Sequence, residues 1–199
     1  MTQFVTFRLR DTFPSALRSE WEHLWRIEDD RKRRIELEVY LDRGRGECCL
    51  RQTEIAELVE NNLLNHSGFR PTENPPDDNG KHDDQADDSS VFRYELRAWC
   101  IMPNHVHVLF KVGGEAMSEI VGAWKKHTGR LANQLLGKSG AFWAEDYFDT
   151  YMRDMEHEKK TVRYIENNPA KAKLVQDPAD WPWSSARFRD SVGMLRPPE

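Results

Sequence analysis

The chain has 199 residues, 38% of them apolar and 32% charged, with a formal net charge of −5. That length suits one domain large enough to bury a core. A mean hydropathy of −0.81, with no apolar run near the ~18 residues of a membrane span, excludes a transmembrane helix, and no membrane partner is expected. The first residues lack an apolar stretch before a small-residue cleavage site. Cys48, Cys49 and Cys100 make neither a disulfide framework nor a CxxC metal motif. A cytoplasmic location is the expectation.

The net charge is unevenly distributed. Residues 71–90 hold Glu73, Asp77, Asp78, Asp83, Asp84, Asp87 and Asp88 against Lys81, a local balance of −6 that leaves the rest of the chain at +1. This stretch has no aromatic residue, no Ile, Leu or Val, and three prolines. It predicts a flexible acidic insertion within a single domain spanning 1–199.

In chain order, Gln3 to Leu9 is rich in β-formers and predicts a short strand. Pro14 and Ser15 introduce a charge-laced helical stretch predicted from Ala16 to about Leu41, with Leu17, Trp21, Leu24 and Trp25 on one face. Core packing is expected of Trp21, Trp25 and Trp124. Gly44 and Gly46 break this helix, and Thr53 to Asn65 predicts another through Ile55, Leu58, Val59, Leu63 and Leu64. Tyr94 to Met102 and His105 to Val112 are β-rich runs separated by Pro103-Asn104, a turn pair, and predict an antiparallel hairpin. Beyond Gly113-Gly114, Ser118 is the expected N-cap of a helix reaching about Leu136. Its stripe is Val121, Trp124, Leu131 and Leu135, with a basic flank of Lys125, Lys126, His127 and Arg130. Phe142 to Met152 predicts a further strand, and a last helix from about Glu156 to Asn167 is expected to stop before Pro169. The order predicts an α+β fold, a ferredoxin-like antiparallel sheet with helices mainly on one face.

Two constellations carry chemistry. Strand side chains alternate faces, so His105 and His107 point the same way, with Cα atoms about 6 to 7 Å apart, while Val106 and Val108 turn to the core. Such a pair can chelate one divalent ion, or it can be an ordinary polar strand face. In the last helix Tyr164 and Asn168 are spaced i, i+4 and share a face. They read either as a phenolic nucleophile beside an amide oxygen, or as a surface tyrosine and a helix-ending Asn.

Trp99-Cys-Ile-Met-Pro-Asn-His-Val-His-Val-Leu109, then Phe142-Trp143 and Asp146-Tyr-Phe-Asp149 with Arg153, then Tyr164-Ile-Glu-Asn-Asn-Pro-Ala-Lys-Ala-Lys-Leu-Val175 and Trp181-Pro-Trp-Ser-Ser185 resemble the REP-associated tyrosine transposases, of the single-tyrosine HUH transposase superfamily. The resemblance extends to Phe4 to Leu9, roughly Asp42 to Leu64, and nearly all of Arg93 to Arg187. It implies that His105, His107 and Asn168 bind a Mg²⁺ or Mn²⁺ ion on a central strand, and that Tyr164 is the nucleophile of a DNA-nicking and joining enzyme. The implied partner is single-stranded DNA carrying a REP-like hairpin. Two departures stand out: the segment 71–90 is foreign to the family pattern, and Ala144 sits where a Gln commonly follows the tryptophan.

On that reading Lys125, Lys126 and Arg130 are candidate phosphate contacts, although a basic stripe is equally a solvated face. Lys160, one turn before Tyr164, is a candidate helper or a solvated lysine. Tyr147 and Tyr151 are rival tyrosines outside the Tyr-Ile-x-x-Asn-Pro motif. A non-catalytic nucleic-acid-binding module is the main alternative. A histidine-triad-like nucleotide hydrolase would need a third histidine where Leu109 stands. The sequence leaves monomer and homodimer both open.

Overall fold

The computed structural model describes residues 1–65, 67 and 93–196; the acidic segment at 71–90 lies outside them. Strands β1 (Thr2–Leu9), β2 (Tyr94–Ile101), β3 (His105–Val112) and β4 (Trp143–Tyr151) form one sheet in the order β2-β3-β1-β4, every neighbouring pair antiparallel. Helix α3 (Thr53–Asn65) connects β1 to β2, and α4 (Met117–Leu136) connects β3 to β4. This is the split β-α-β arrangement of a ferredoxin-like sheet, with β3 and β1 at its centre.

The apolar alternation decides what each face carries. Val5, Phe7 and Leu9 of β1, Trp99 and Ile101 of β2, and Val106, Val108 and Phe110 of β3 pack beneath Ile55, Val59 and Leu63 of α3 and Ile120, Val121 and Trp124 of α4. Trp124 Nε1 donates to Tyr94 Oη at 2.9 Å, which donates to the Leu63 carbonyl at 2.7 Å, so one chain of hydrogen bonds ties both helices to β2. The opposite face is also covered. Phe4, Ala98, Cys100 and Leu109 pack against Ile165 of α5 (Met155–Lys171), and the end of α2 (Asp30–Asp42) meets the end of α5 through the Asp42–Lys171 ion pair. The two crossover helices thus share one face, and α5 with α2 closes the other.

Several local expectations are corrected. The predicted helix from Ala16 to Leu41 is broken into α1 (Arg18–Trp21), short 3₁₀ turns and α2, because Asp29 caps a fresh start by accepting from Lys32 N at 2.7 Å. Ser118 lies inside α4, whose N-cap is Ala116. Pro169 does not stop α5: Asn168 still accepts Ala172 N at 2.9 Å, and the buried proline ring is held inside the helix, which ends within a turn. Trp25 is 45% exposed, so the core role expected of it fails, whereas Trp124 is buried.

The segment Trp181–Ser185 runs along the outer edge of β2. Ile101 N donates to the Trp183 carbonyl at 2.8 Å, Trp99 N to Ser185 Oγ at 3.1 Å, and Trp181 Nε1 to the Ile101 carbonyl at 3.0 Å. Just beyond it, Arg187 pairs with the buried Glu60 of α3 at 2.7 Å, and Glu60 also accepts from Trp99 Nε1 at 2.8 Å. Glu60→Ala removes the buried carboxylate that accepts from both Arg187 and Trp99, and should cost about 3 kcal/mol in denaturant unfolding. Glu22→Ala, which breaks an exposed pair with Arg18, should cost less than about 1 kcal/mol.

Candidate active site

The histidine pair lies under α5, and neither His105 nor His107 has exposed surface. Their ring orientations follow from their neighbours. Asn104 Nδ2 donates to the Arg45 carbonyl at 2.9 Å, which aims Asn104 Oδ1 at His105 Nδ1, 2.7 Å away. An amide oxygen only accepts, so His105 Nδ1 carries the proton and Nε2 is a bare lone pair. His107 Nδ1 meets Thr6 Oγ1 of β1 at 2.8 Å, and Asn168 Nδ2 reaches His107 Nε2 at 2.9 Å. With the amide donating there, His107 is in the same tautomer, its Nδ1 donating to Thr6. The two bare Nε2 atoms then face each other at 3.1 Å.

Helix α5 brings the remaining groups. Tyr164, Asn168 and Lys171 fall at i, i+4 and i+7 and so lie along one stripe. The Tyr164 ring stands 5.6 Å from that of His107 and edge-on to Phe4, and Lys171 Nζ sits 5.6 Å from the tyrosine ring centre. Lys171 also pairs with Asp42 Oδ2 at 2.9 Å, and Asp42 Oδ1 lies 4.0 Å from His105 Nε2. Around the histidines, three buried polar atoms have no hydrogen-bond partner: Tyr164 Oη, Asn168 Oδ1 and Asp42 Oδ1.

Burial sets the protonation states. It pushes His105 down to about 3, with the Lys171 charge adding to the effect, and it pushes His107 down as well, aided by His105 and Lys171. Burial raises the Tyr164 phenol well above its ordinary range, and the nearby Glu38 carboxylate raises it further, although no hydrogen bond closes between them. Glu38 and Asp42 are themselves raised by burial, and Lys171 partly offsets this in each.

His105, His107 and Asn168 could therefore hold a divalent ion: two lone pairs converge, and turning the Asn168 amide presents its unpartnered oxygen where Nδ2 now stands. Among the described residues no three His, Cys, Asp or Glu side chains form a compact metal-binding group; with His105 and His107 the third donor would be the Asn168 amide.

The other singled-out residues lie elsewhere. Lys160 is on the exposed side of α5, paired with Glu156 at 3.7 Å, and the cation beside Tyr164 is Lys171. Tyr147 packs into the α4 face of the sheet and Tyr151, four residues on in the same strand, points to that side too, away from the histidines. Leu109 is core. Lys125, Lys126 and Arg130 line an open recess of about 460 Å³ between α4 and the start of β4, with Arg10 and Phe142. Lys125 is partly engaged there, donating to the Glu145 carbonyl at 2.7 Å. Sequence reasoning passed over Glu38, Asp42 and Lys171. The available signal was helical spacing, since Glu38 and Asp42 are i, i+4 and Lys171 continues the Tyr164 stripe.

Residues 87–168 match the family described as Transposase IS200 like. The matched stretch holds His105, His107, Tyr164 and Asn168, and leaves α2 and Lys171 outside. A REP-associated tyrosine transposase of Escherichia coli K12 is 24% identical over 92 residues, which cover 46% of this chain and 54% of that protein. The chain thus spans about half the length of the curated relative it matches. A solved structure of a REP-associated tyrosine transposase bound to a REP hairpin is similar over 94% of this chain and 76% of its own, at 18% identity and a TM-score of 0.48. Among the described residues, no helix is long and apolar enough to cross a membrane.

The histidine shift has a measurable consequence. The folded chain keeps His105 neutral down to about pH 3, whereas the unfolded chain protonates it near 6.5. The stability that the neutral pair contributes is therefore complete above about pH 6.5 and falls as pH drops toward 3. In metal-free buffer, thermal unfolding of the wild type should steepen below about pH 6.5, and His107→Gln should flatten the profile. Parallel profiles for the two proteins would contradict the assignment.

Proposed function

We propose that the chain is a divalent-metal-dependent single-stranded DNA endonuclease and strand transferase, acting on palindromic hairpin DNA through a 5′-phosphotyrosine on Tyr164. The observation that carries this reading is the meeting, within one chain, of Tyr164 and Asn168 from α5 with the two bare imidazole nitrogens of β3. It is supported by the family match over residues 87–168.

His105, His107 and Asn168 would hold Mg²⁺ or Mn²⁺, which when bound supplies Lewis-acid polarisation of the scissile phosphate. Tyr164 Oη attacks phosphorus and the bond to the 3′ oxygen breaks. That oxygen leaves as a hydroxyl on taking up a proton, and the 5′ phosphate stays esterified to the protein. The phenolic proton passes to Glu38, the carboxylate beside it, whose raised affinity for a proton makes it a better base than an exposed carboxylate. Lys171 stands close enough to stabilise the phenolate charge as it develops. Run backwards with a second 3′ hydroxyl, the same step joins strands without ATP, because the phosphodiester energy is kept in the covalent intermediate. The imidazoles and the tyrosine come from one chain, so no second subunit is needed to complete the site.

DNA contacts are assigned to the recess beside α4. Arg10, Lys126 and Arg130 supply phosphate neutralisation and Phe142 a face for an unpaired base.

A denaturing gel with labelled hairpin-bearing single-stranded DNA and Mn²⁺ tests the chemistry. A covalent adduct should form with the wild type and with Tyr147→Phe but vanish in Tyr164→Phe. An adduct that persists in Tyr164→Phe overturns the proposal, and binding without any wild-type adduct favours a non-catalytic module. His105→Ala or His107→Ala should abolish cleavage while largely preserving DNA affinity. The double change Lys126→Gln with Arg130→Gln should weaken binding alike for all sequences and lower the log–log salt slope by about 2.

A further inference from the structure

We propose that Asp42, the last residue of α2, is a fourth ligand of the divalent ion held by His105, His107 and Asn168, and that the ion's charge is balanced by this carboxylate together with the DNA phosphate. The inference rests on the metal-dependent reading above and extends it to a helix outside the family-matched stretch.

Three observations carry it. The first is an unmet acceptor. Asp42 Oδ1 is buried and has no hydrogen-bond donor, although its side chain is 12% exposed overall and Oδ2 is held by Lys171 at 2.9 Å. A carboxylate oxygen in that state costs free energy unless a cation comes to it. The second is distance. Asp42 Oδ1 stands 4.0 Å from the bare Nε2 of His105, and that atom stands 3.1 Å from His107 Nε2. Ligands held about 2.1 Å from one ion lie about 3 to 4 Å from each other, so both spacings are within reach of shared ligation. No donor proton lies between Asp42 and His105, because the His105 proton is on Nδ1, facing Asn104.

The third is charge. Two imidazoles and an amide are neutral, and each of the three side chains is fully buried. A doubly charged ion in such a set would have no compensation from the protein, which is expensive at low dielectric. Asp42 supplies one negative charge and the scissile phosphate the other, giving a site that is neutral only when substrate is present. Lys171 then changes partner. Its side chain is 50% exposed, so once the ion takes the carboxylate charge the ammonium can swing to a phosphate oxygen or to the phenolate.

Mn²⁺ binding to the full chain without DNA, followed by titration calorimetry and by the loss of the free-ion electron paramagnetic resonance signal, tests this independently of turnover. The wild type should bind one Mn²⁺, and Asp42→Asn, which keeps shape and removes charge, should bind at least tenfold more weakly. Lys171→Met, which removes the partner but leaves the carboxylate, should bind Mn²⁺ at least as tightly as the wild type. If the wild type binds no Mn²⁺, the metal-dependent reading itself falls. If it binds and Asp42→Asn binds equally well, or if Lys171→Met loses the ion to the same extent as Asp42→Asn, the carboxylate is not a ligand. A crystal of the wild type soaked in Mn²⁺ gives a check that needs no variant: Asp42 Oδ1 bonded to the anomalous peak supports the assignment, and a carboxylate left outside the ion's coordination overturns it.

Discussion

The site exists because α5 lies across a sheet face that is not uniformly apolar. Ile165 fits among Phe4, Ala98 and Leu109, and that contact takes water away from Thr6, His105 and His107, which share the same face. Each polar atom there must then find a partner within the protein. Thr6 and Asn104 satisfy the two Nδ1 atoms, which leaves both Nε2 lone pairs pointing inward. An uncovered sheet face would leave the pair hydrated and ready to protonate. Covered, it is held neutral, with its two bare Nε2 atoms converging.

The two surfaces assigned to chemistry and to DNA lie on opposite sides of the sheet but are joined through its β1–β4 side. Arg8 stands opposite His105 in the strand register and forms a two-bond ion pair with Asp146 of β4, at 2.8 and 3.0 Å. The next residue back, Glu145, accepts Lys125 from the recess. One ion pair and one lysine-to-backbone hydrogen bond, on neighbouring residues of β4, therefore link the strand beside the histidines to the basic flank of α4. The chain's formal charge of −5 conceals this arrangement, since what matters is where a few cations sit.

How much could be read beforehand differs by element. The hairpin and β1 were legible because β-branched and aromatic residues alternate around a Pro-Asn turn, and α3 because its apolar spacing runs unbroken between Thr53 and Asn65. The break before α2 was missed because its signal is a single capping aspartate, Asp29, within a charge-rich stretch that reads as continuous helix. The facing of His105 and His107 followed from strand alternation. Their burial did not, because alternation fixes which side a residue is on and says nothing of whether a helix some sixty residues later will cover that side. Glu38, Asp42 and Lys171 were hidden for a related reason: charged residues on helices are normally solvated, and only the packing of α2 beside α5 draws the two carboxylates inward and sets the half-exposed Lys171 against them.

The segment beside β2 does more than occupy an open sheet edge. Ser185 Oγ, which accepts from Trp99 N, donates to Glu166 of α5 at 2.6 Å, and Glu166 also accepts from Arg189 at 2.8 Å. Glu166 lies two residues from both Tyr164 and Asn168, so the same tail that shields the sheet edge from strand-to-strand aggregation also indexes the rotation of the tyrosine helix about its own axis. A chain cut after Val175 would retain every side chain of the site and lose this rotational stop, and amide exchange in α5 would report the slack.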